Sequence, residues 1–176
     1  MKLRNSEILR RGIQMFVGLS IFNAPGLLFL RHACYRFFFN IGKNPILMEH
    51  VRFNRPHNLT NGFIKIGNNV GINSFVEIDY SGNVIIEDNV WISQRVIIET
   101  HSHQVKTKKL KKDHPIKTSQ LILKNDCWLG ANVFISENVD YIGQGAIVGA
   151  GSVVTKNIPN WAIATGIPAN VIKYRK

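Results

Sequence analysis

The 176-residue chain carries 22 lysines and arginines against 11 aspartates and glutamates, a formal charge of +11, with 45% hydrophobic residues and two cysteines. That length suits one compact unit, and so few cysteines exclude a disulfide framework and point to a reducing, cytoplasmic compartment. The positive charge asks for anionic partners, but no basic run is interleaved with aromatics as nucleic-acid binders require, so nucleic acid is not expected.

Residues 1–58 read as a first, helical unit. Lys2, Arg4, Arg10 and Arg11 lead into an apolar stretch, Ile13–Leu30, that is interrupted by Gln14, Asn23, Pro25 and Gly26. A bilayer-spanning helix does not tolerate those breaks, and no small-residue cleavage pattern comes after them to make the segment a secretory leader. The pattern predicts two short helices, near Asn5–Ile21 and Pro25–Asn40. With Phe37, Phe38, Phe39 and the flanking Arg31 and Arg36, they suit either a cap on the open end of the larger C-terminal unit or a peripheral segment at a membrane interface.

From residue 59 to 176, aliphatic residues recur at every sixth position, in the triplets Ile66, Ile72, Ile78; Ile86, Ile92, Ile98; Leu123, Leu129, Ile135; and Ile142, Val148, Val154. Four residues after each lies a second column of small or β-branched side chains, among them Val70, Val76, Val90, Val96, Cys127 and Val133. A period of six fits neither a helix nor simple strand alternation. It predicts an all-β solenoid, each turn built from three short strands and burying its aliphatic slots against the turns above and below. Cys127 falls in the inward column, which makes it a packing residue rather than a nucleophile.

Three interruptions break the count: residues 81–85, a long excursion from Gln104 to Ile122, and an extra residue near Asp140 and Tyr141. All come after the third strand of a turn, so one corner of the prism carries the insertions and is the expected working edge. The excursion bears Lys106, Lys108, Lys109, Lys111, Lys112 and Lys117, a run suited to solvent or to a phosphorylated ligand. Immediately before it stands Thr100-His101-Ser102-His103. Counting from Ile98 puts Ser102 in the inward column, His101 outside it, and His103 in the sixth slot beside the insertion corner. An imidazole, with an unperturbed pKa of about 6.5, can take a proton from a hydroxyl there.

The hexads starting at Ile86, Ile92 and Leu129, the Thr-His-Ser-His segment, and the closing run from Val148 through Pro159 to Gly166-Ile-Pro-Ala-Asn resemble the hexapeptide-repeat acyltransferases. The likeness is greatest to sugar and polysaccharide O-acetyltransferases of the maltose, galactoside and capsule types. It implies a left-handed parallel β-helix of hexapeptide repeats with an N-terminal helical segment and one long loop, 104–122, assembled as a homotrimer with sites between chains.

The same resemblance implies acetyl transfer from acetyl-CoA to a hydroxyl of a carbohydrate acceptor, without a metal and with His103 as general base. His101 is then a second polar contact or an ordinary exposed residue. For acetyl-CoA it implies Trp128, Gly130, Ala131, Ala150 and Gly151 along the pantetheine arm, and Thr155, Lys156, Pro168 and Lys173 at the nucleotide end. Asn73, Ser74, Glu77 and Asp79 are the candidates for the acceptor. Two rivals are a zinc carbonic anhydrase of the same fold, for which His101, His103 and His114 are poorly spaced as ligands, and a non-catalytic β-helical scaffold.

Overall fold

The computed structural model describes residues 7–24, 26–56, 60–103 and 115–176. The repeat takes the form its period dictates, short strands alternating with four-residue corners. The first coil is β1 (Asn40–Ile41), β2 (Ile46–Leu47) and β3 (Arg52–Asn54), and the second is β4 (Ile64–Ile66), β5 (Gly71–Ile72) and β6 (Glu77–Asp79). The third is β7 (Asn83–Ile86), β8 (Trp91–Ile92) and β9 (Ile97–Ile98), after which β10 (His101–His103) and β11 (Ile116–Thr118) leave the stack as an antiparallel hairpin. The fourth coil is β12 (Gln120–Leu123), β13 (Trp128–Leu129) and β14 (Phe134–Ile135), and the fifth is β15 (Tyr141–Ile142), β16 (Ile147–Val148) and β17 (Val153–Val154). Two longer strands, β18 (Ala162–Gly166) and β19 (Ala169–Tyr174), close that end as an antiparallel pair.

Equivalent strands stack in parallel into three sheets. The first is β1-β4-β7-β12-β15, the second β19-β18-β16-β13-β8-β5-β2, and the third β17-β14-β9-β6-β3. In-register pairing sets each aliphatic slot on its counterpart, as in Phe53, Ile78, Ile98, Ile135 and Val154 on the third sheet, all fully buried. Cys127 is buried in the inward column, and desolvation pushes its thiol up to about 12, in keeping with a packing role.

Two of the three corners have constant length. Residues 42–45, 67–70, 87–90, 124–127 and 143–146 join the first sheet to the second, and 48–51, 73–76, 93–96, 130–133 and 149–152 join the second to the third. The third position of every one of them is left-handed: Asn44, His50, Asn69, Phe75, Asn89, Arg95, Asp126, Asn132, Gly145 and Gly151. Asn, Asp and Gly accept that conformation readily, and seven of the ten positions hold one of them. His50, Phe75 and Arg95, the exceptions, all lie on the second corner. The third corner, between third and first sheets, is the variable one, with connections 55–63, 80–82, 99–119 and 136–140; after β17 the chain touches the first sheet only through the bridge of Ile158 to Ile142 before β18 joins the second.

The repeat begins earlier than residue 59, because β1 to β3 stack on β4 to β6 and make 40–54 a full coil. Only the part before it is helical: α1 (Glu7–Val17), a 3-10 turn at Ser20–Asn23, and α2 (Leu28–Phe38). These pack on the first coil, whose peptide groups face no earlier strand and need polar partners. Gln14 meets that need as a surrogate peptide, its Nε2 donating to the Phe53 carbonyl at 3.3 Å and its Oε1 accepting from the Phe53 N–H at 2.9 Å. The buried Arg31 guanidinium donates to the carbonyls of Val17, Leu19 and Leu47 and to Asn23 Oδ1.

Candidate active site

The two histidines of β10 stand where the chain swings out of the third coil at the variable corner. Their rings meet edge to face, with centroids 5.9 Å apart. Thr100, not Ser102, is the last buried residue before the departure; Ser102 pairs with Lys117 in the hairpin and is only half-buried. The expected inward slot for Ser102 fails because the six-residue count stops when the strand leaves the stack. The coil resumes at Gln120, so the excursion returns earlier than Ile122.

Asp79 lies one coil below and is buried. Its Oδ2 accepts from His101 Nδ1 at 2.7 Å, from the Thr100 N–H at 3.0 Å and from Thr100 Oγ1 at 3.1 Å, while Oδ1 accepts from the Ser81 N–H at 2.9 Å and Ser81 Oγ at 2.6 Å. Burial acts to raise the Asp79 pKa, but the donors from Ser81, His101 and Thr100 outweigh it and hold the carboxyl below its usual range. Asp79 was expected to touch the acceptor; instead its oxygens are occupied in fixing His101. Glu99 Oε2 is 3.6 Å from the same ring nitrogen, and desolvation, reinforced by Asp79, raises its pKa.

His101 opens into a cleft of about 730 Å³ on the outer side of the third sheet. The first coil and Glu77 form one side, with Glu77 paired to Arg52 at 3.3 Å, and Arg11, Gln14 and Met15 of α1 form another. Asn73 and Ser74 are not in the cleft. They occupy the second corner, where Ser74 Oγ donates to Glu49 Oε1 at 2.7 Å. His114 and five of the excursion's lysines lie outside the described residues.

The residues expected to hold acetyl-CoA form a separate strip. Trp128, Ile147, Ile163 and Lys173 share one register line across the second sheet, and Gly130, Ala131, Ala150 and Gly151 continue along the second corner. Gly130 is required by stacking, since a Cβ there would come within 2.6 Å of the Ala150 nitrogen. Space over Gly151 is open, its glycine being fixed by the left-handed backbone, and a slender ligand could lie along that edge. Pro168 sits in the β18–β19 turn, whereas Thr155 and Lys156 follow β17 on the far side of the third sheet.

Thus one chain holds its histidines and its small-residue strip on opposite edges of the third sheet. No protein-family model matches the chain. The putative colanic acid biosynthesis acetyltransferase WcaF of Escherichia coli K12 is 31% identical over 136 residues, 77% of this chain and 69% of that protein. The chain belongs to the hexapeptide-repeat acetyltransferases. Another relative from that organism, galactoside O-acetyltransferase, is 33% identical over 136 residues that span 64% of its own length. The solved structure of a galactoside acetyltransferase in complex with coenzyme A superposes with a TM-score of 0.79 at 29% identity, covering 94% of this chain and 79% of that one.

Against this family background the residues missed from sequence are Ser81, Thr100 and Glu99 around His101, and the α1 wall of the cleft. A signal for the first group existed. The second and third coils are offset by 20 residues, as Ile78 over Ile98 shows, which sets Asp79 beneath Glu99 and within reach of Thr100 and His101.

Proposed function

We infer that the protein transfers an acetyl group from acetyl-CoA to a hydroxyl of a sugar or surface-polysaccharide precursor. Its solenoid is read as a left-handed parallel β-helix, an exception to the right-handed crossover rule, assembled as a homotrimer. The observation that carries the chemistry is the 2.7 Å bond between His101 Nδ1 and buried Asp79. A proton on Nδ1, held against the carboxylate, puts the ring's lone pair on Nε2, which takes the proton of the acceptor hydroxyl. Asp79 stabilises the imidazolium that results, and His101 then gives the proton up from Nε2 to the departing sulfur. Bound acetyl-CoA supplies the thioester carbonyl that the acceptor oxygen attacks.

Trp128, Ala131, Ala150, Gly151 and Lys173 would hold acetyl-CoA, the open edge over Gly151 taking the narrow arm and the lysine the phosphates. Because strip and histidines lie on opposite edges of one sheet, the strip of one chain serves the histidines of a neighbour. Sedimentation of a fully active monomer would overturn that arrangement.

A second reading keeps His103 as the base, favoured by its slot at the root of the excursion and by its edge-to-face contact with His101, which with Asp79 then positions it. Acetyl-CoA turnover by His101→Ala and His103→Ala, with a panel of free, nucleotide-linked and lipid-linked sugars, tests both. Loss of kcat in His101→Ala by about 10²–10⁴, with coenzyme A binding kept, is expected. Loss confined to His103→Ala selects the second reading, and no turnover by the parent with any acceptor refutes acetyl transfer to these sugar classes.

A further inference from the structure

Both helices of the cap mix polar and apolar side chains on the buried side, Val17 and Tyr35 among the latter, and leave large apolar side chains outside. α1 buries Gln14 against the first coil and Arg10 over the Phe39 and Tyr80 rings, and turns Ile8, Met15 and Phe16 to the outside, where they are 86%, 69% and 63% exposed. Their spacing of seven and eight residues makes them one stripe. α2 does the same, burying Arg31 and exposing Phe29 and Phe37 at 63% and 56%, and the turn between the helices exposes Ile21 at 66%. Isolated apolar side chains on a surface are ordinary, but two helices that both aim phenylalanine outward and arginine inward are not.

The burial of Gln14 and Arg31 is explained by bare peptide groups of the first coil, at Phe53 and Leu47, and that of Arg10 by its pairing with Glu7 and its place over Phe39 and Tyr80. The outward apolar face has no counterpart within the described residues. Its margins are basic: Arg11 on α1, Arg36 on α2, and Lys43 just beyond, all exposed, with Lys2 and Arg4 preceding α1 in the sequence. Among the described residues no helix is long and apolar enough to cross a membrane.

We propose that this cap docks flat on an anionic lipid surface, with Ile8, Phe16, Ile21, Phe29 and Phe37 entering the head-group boundary and the flanking basic residues meeting phosphate. That is the arrangement of an interfacial helix with an apolar face and a basic margin. A second copy of this chain is the poorer occupant, since a chain of charge +11 would set the same basic margins against one another. Arg11 and Met15 also line the His101 cleft, so docking brings the cleft mouth to the lipid surface.

The test is co-sedimentation of the full chain with vesicles of phosphatidylcholine alone and of phosphatidylcholine with phosphatidylglycerol, at low and high salt. The parent should bind the anionic vesicles, and lose them at high salt. The combined variant Ile8→Gln, Phe16→Gln, Phe29→Gln, checked by thermal melting, should fold like the parent and bind at least about tenfold more weakly. Absence of parent binding at low salt overturns the proposal, as does undiminished binding by the folded variant. A drop in oligomeric state of the variant by sedimentation velocity also overturns it, and makes the stripe a contact between copies. None of these readouts depends on catalysis.

Discussion

Replacing Asp79 with Asn tests the site at its most constrained atom pair. Each carboxylate oxygen accepts one backbone N–H, from Ser81 at 2.9 Å and from Thr100 at 3.0 Å, so an amide nitrogen placed at either position faces a donor it cannot satisfy. One buried N–H is orphaned, at a cost of about 1–3 kcal/mol, and the charge-assisted character of the remaining bonds is lost. A total loss of roughly 2–4 kcal/mol lowers the melting temperature by about 4–16 °C for a chain of this size. Because the Asp79 pKa is depressed in the fold, its contribution is complete above the unfolded value of about 3.9 and disappears as pH falls through the lower folded value. The stability deficit of the variant should therefore be full at neutral pH and close only in acid.

For catalysis, an amide facing Nδ1 no longer fixes the proton there, and kcat should fall by about 10²–10⁴ while KM for acetyl-CoA changes little, the strip being across the sheet. Acetyl-CoA-dependent thiol release below the melting point separates the two effects. A folded variant that turns over at the parent rate would refute the His101 mechanism.

Glu99 behaves in the opposite sense: its raised pKa favours the fold below the unfolded value and loses that contribution as pH rises through the folded one. Glu99→Gln should then be more stable than the parent at pH 7 by denaturant titration, with the advantage shrinking toward about pH 4. Arg95 has a φ of 57° at an exposed left-handed corner position, a conformation that Asn132 and Gly151 adopt at the same place in later coils, so Arg95→Asn should raise stability by roughly 0.5–1 kcal/mol in the same assay.

Much of the solenoid can be read from the sequence because stacking leaves its slots little choice. Coils two to five announce themselves through Ile66 to Val154, and the corner that collects insertions is located by where the count breaks. The first coil escapes because one of its two faces is packed by helices rather than by another coil. Its slot therefore accepts Phe53 among aromatic partners Tyr35 and Phe39, and the nine-residue connection after it disturbs the phase. At the site, the histidines are visible but the role of Asp79 is not, since the position after an inward slot ordinarily faces out. Here the chain is already bending into the third corner, and the carboxylate turns under Thr100. The helices are legible only in part: Val17 and Tyr35 enter the core as apolar residues should, but the end of a parallel stack also presents amides, and these draw in Gln14 and Arg31.

The contrast between two fixed corners and one variable corner divides the gene into regions with different freedom to change length. Adding or removing one residue in a four-residue corner would reverse which side chains enter the stack through the rest of that coil, and a drifting lineage should purge it. The third corner can lengthen from three residues to 21 with the strands on either side still in register. Loops can thus be exchanged at that corner without disturbing the stack, and reading-frame-preserving insertions recovered in a screen for folded protein should cluster there.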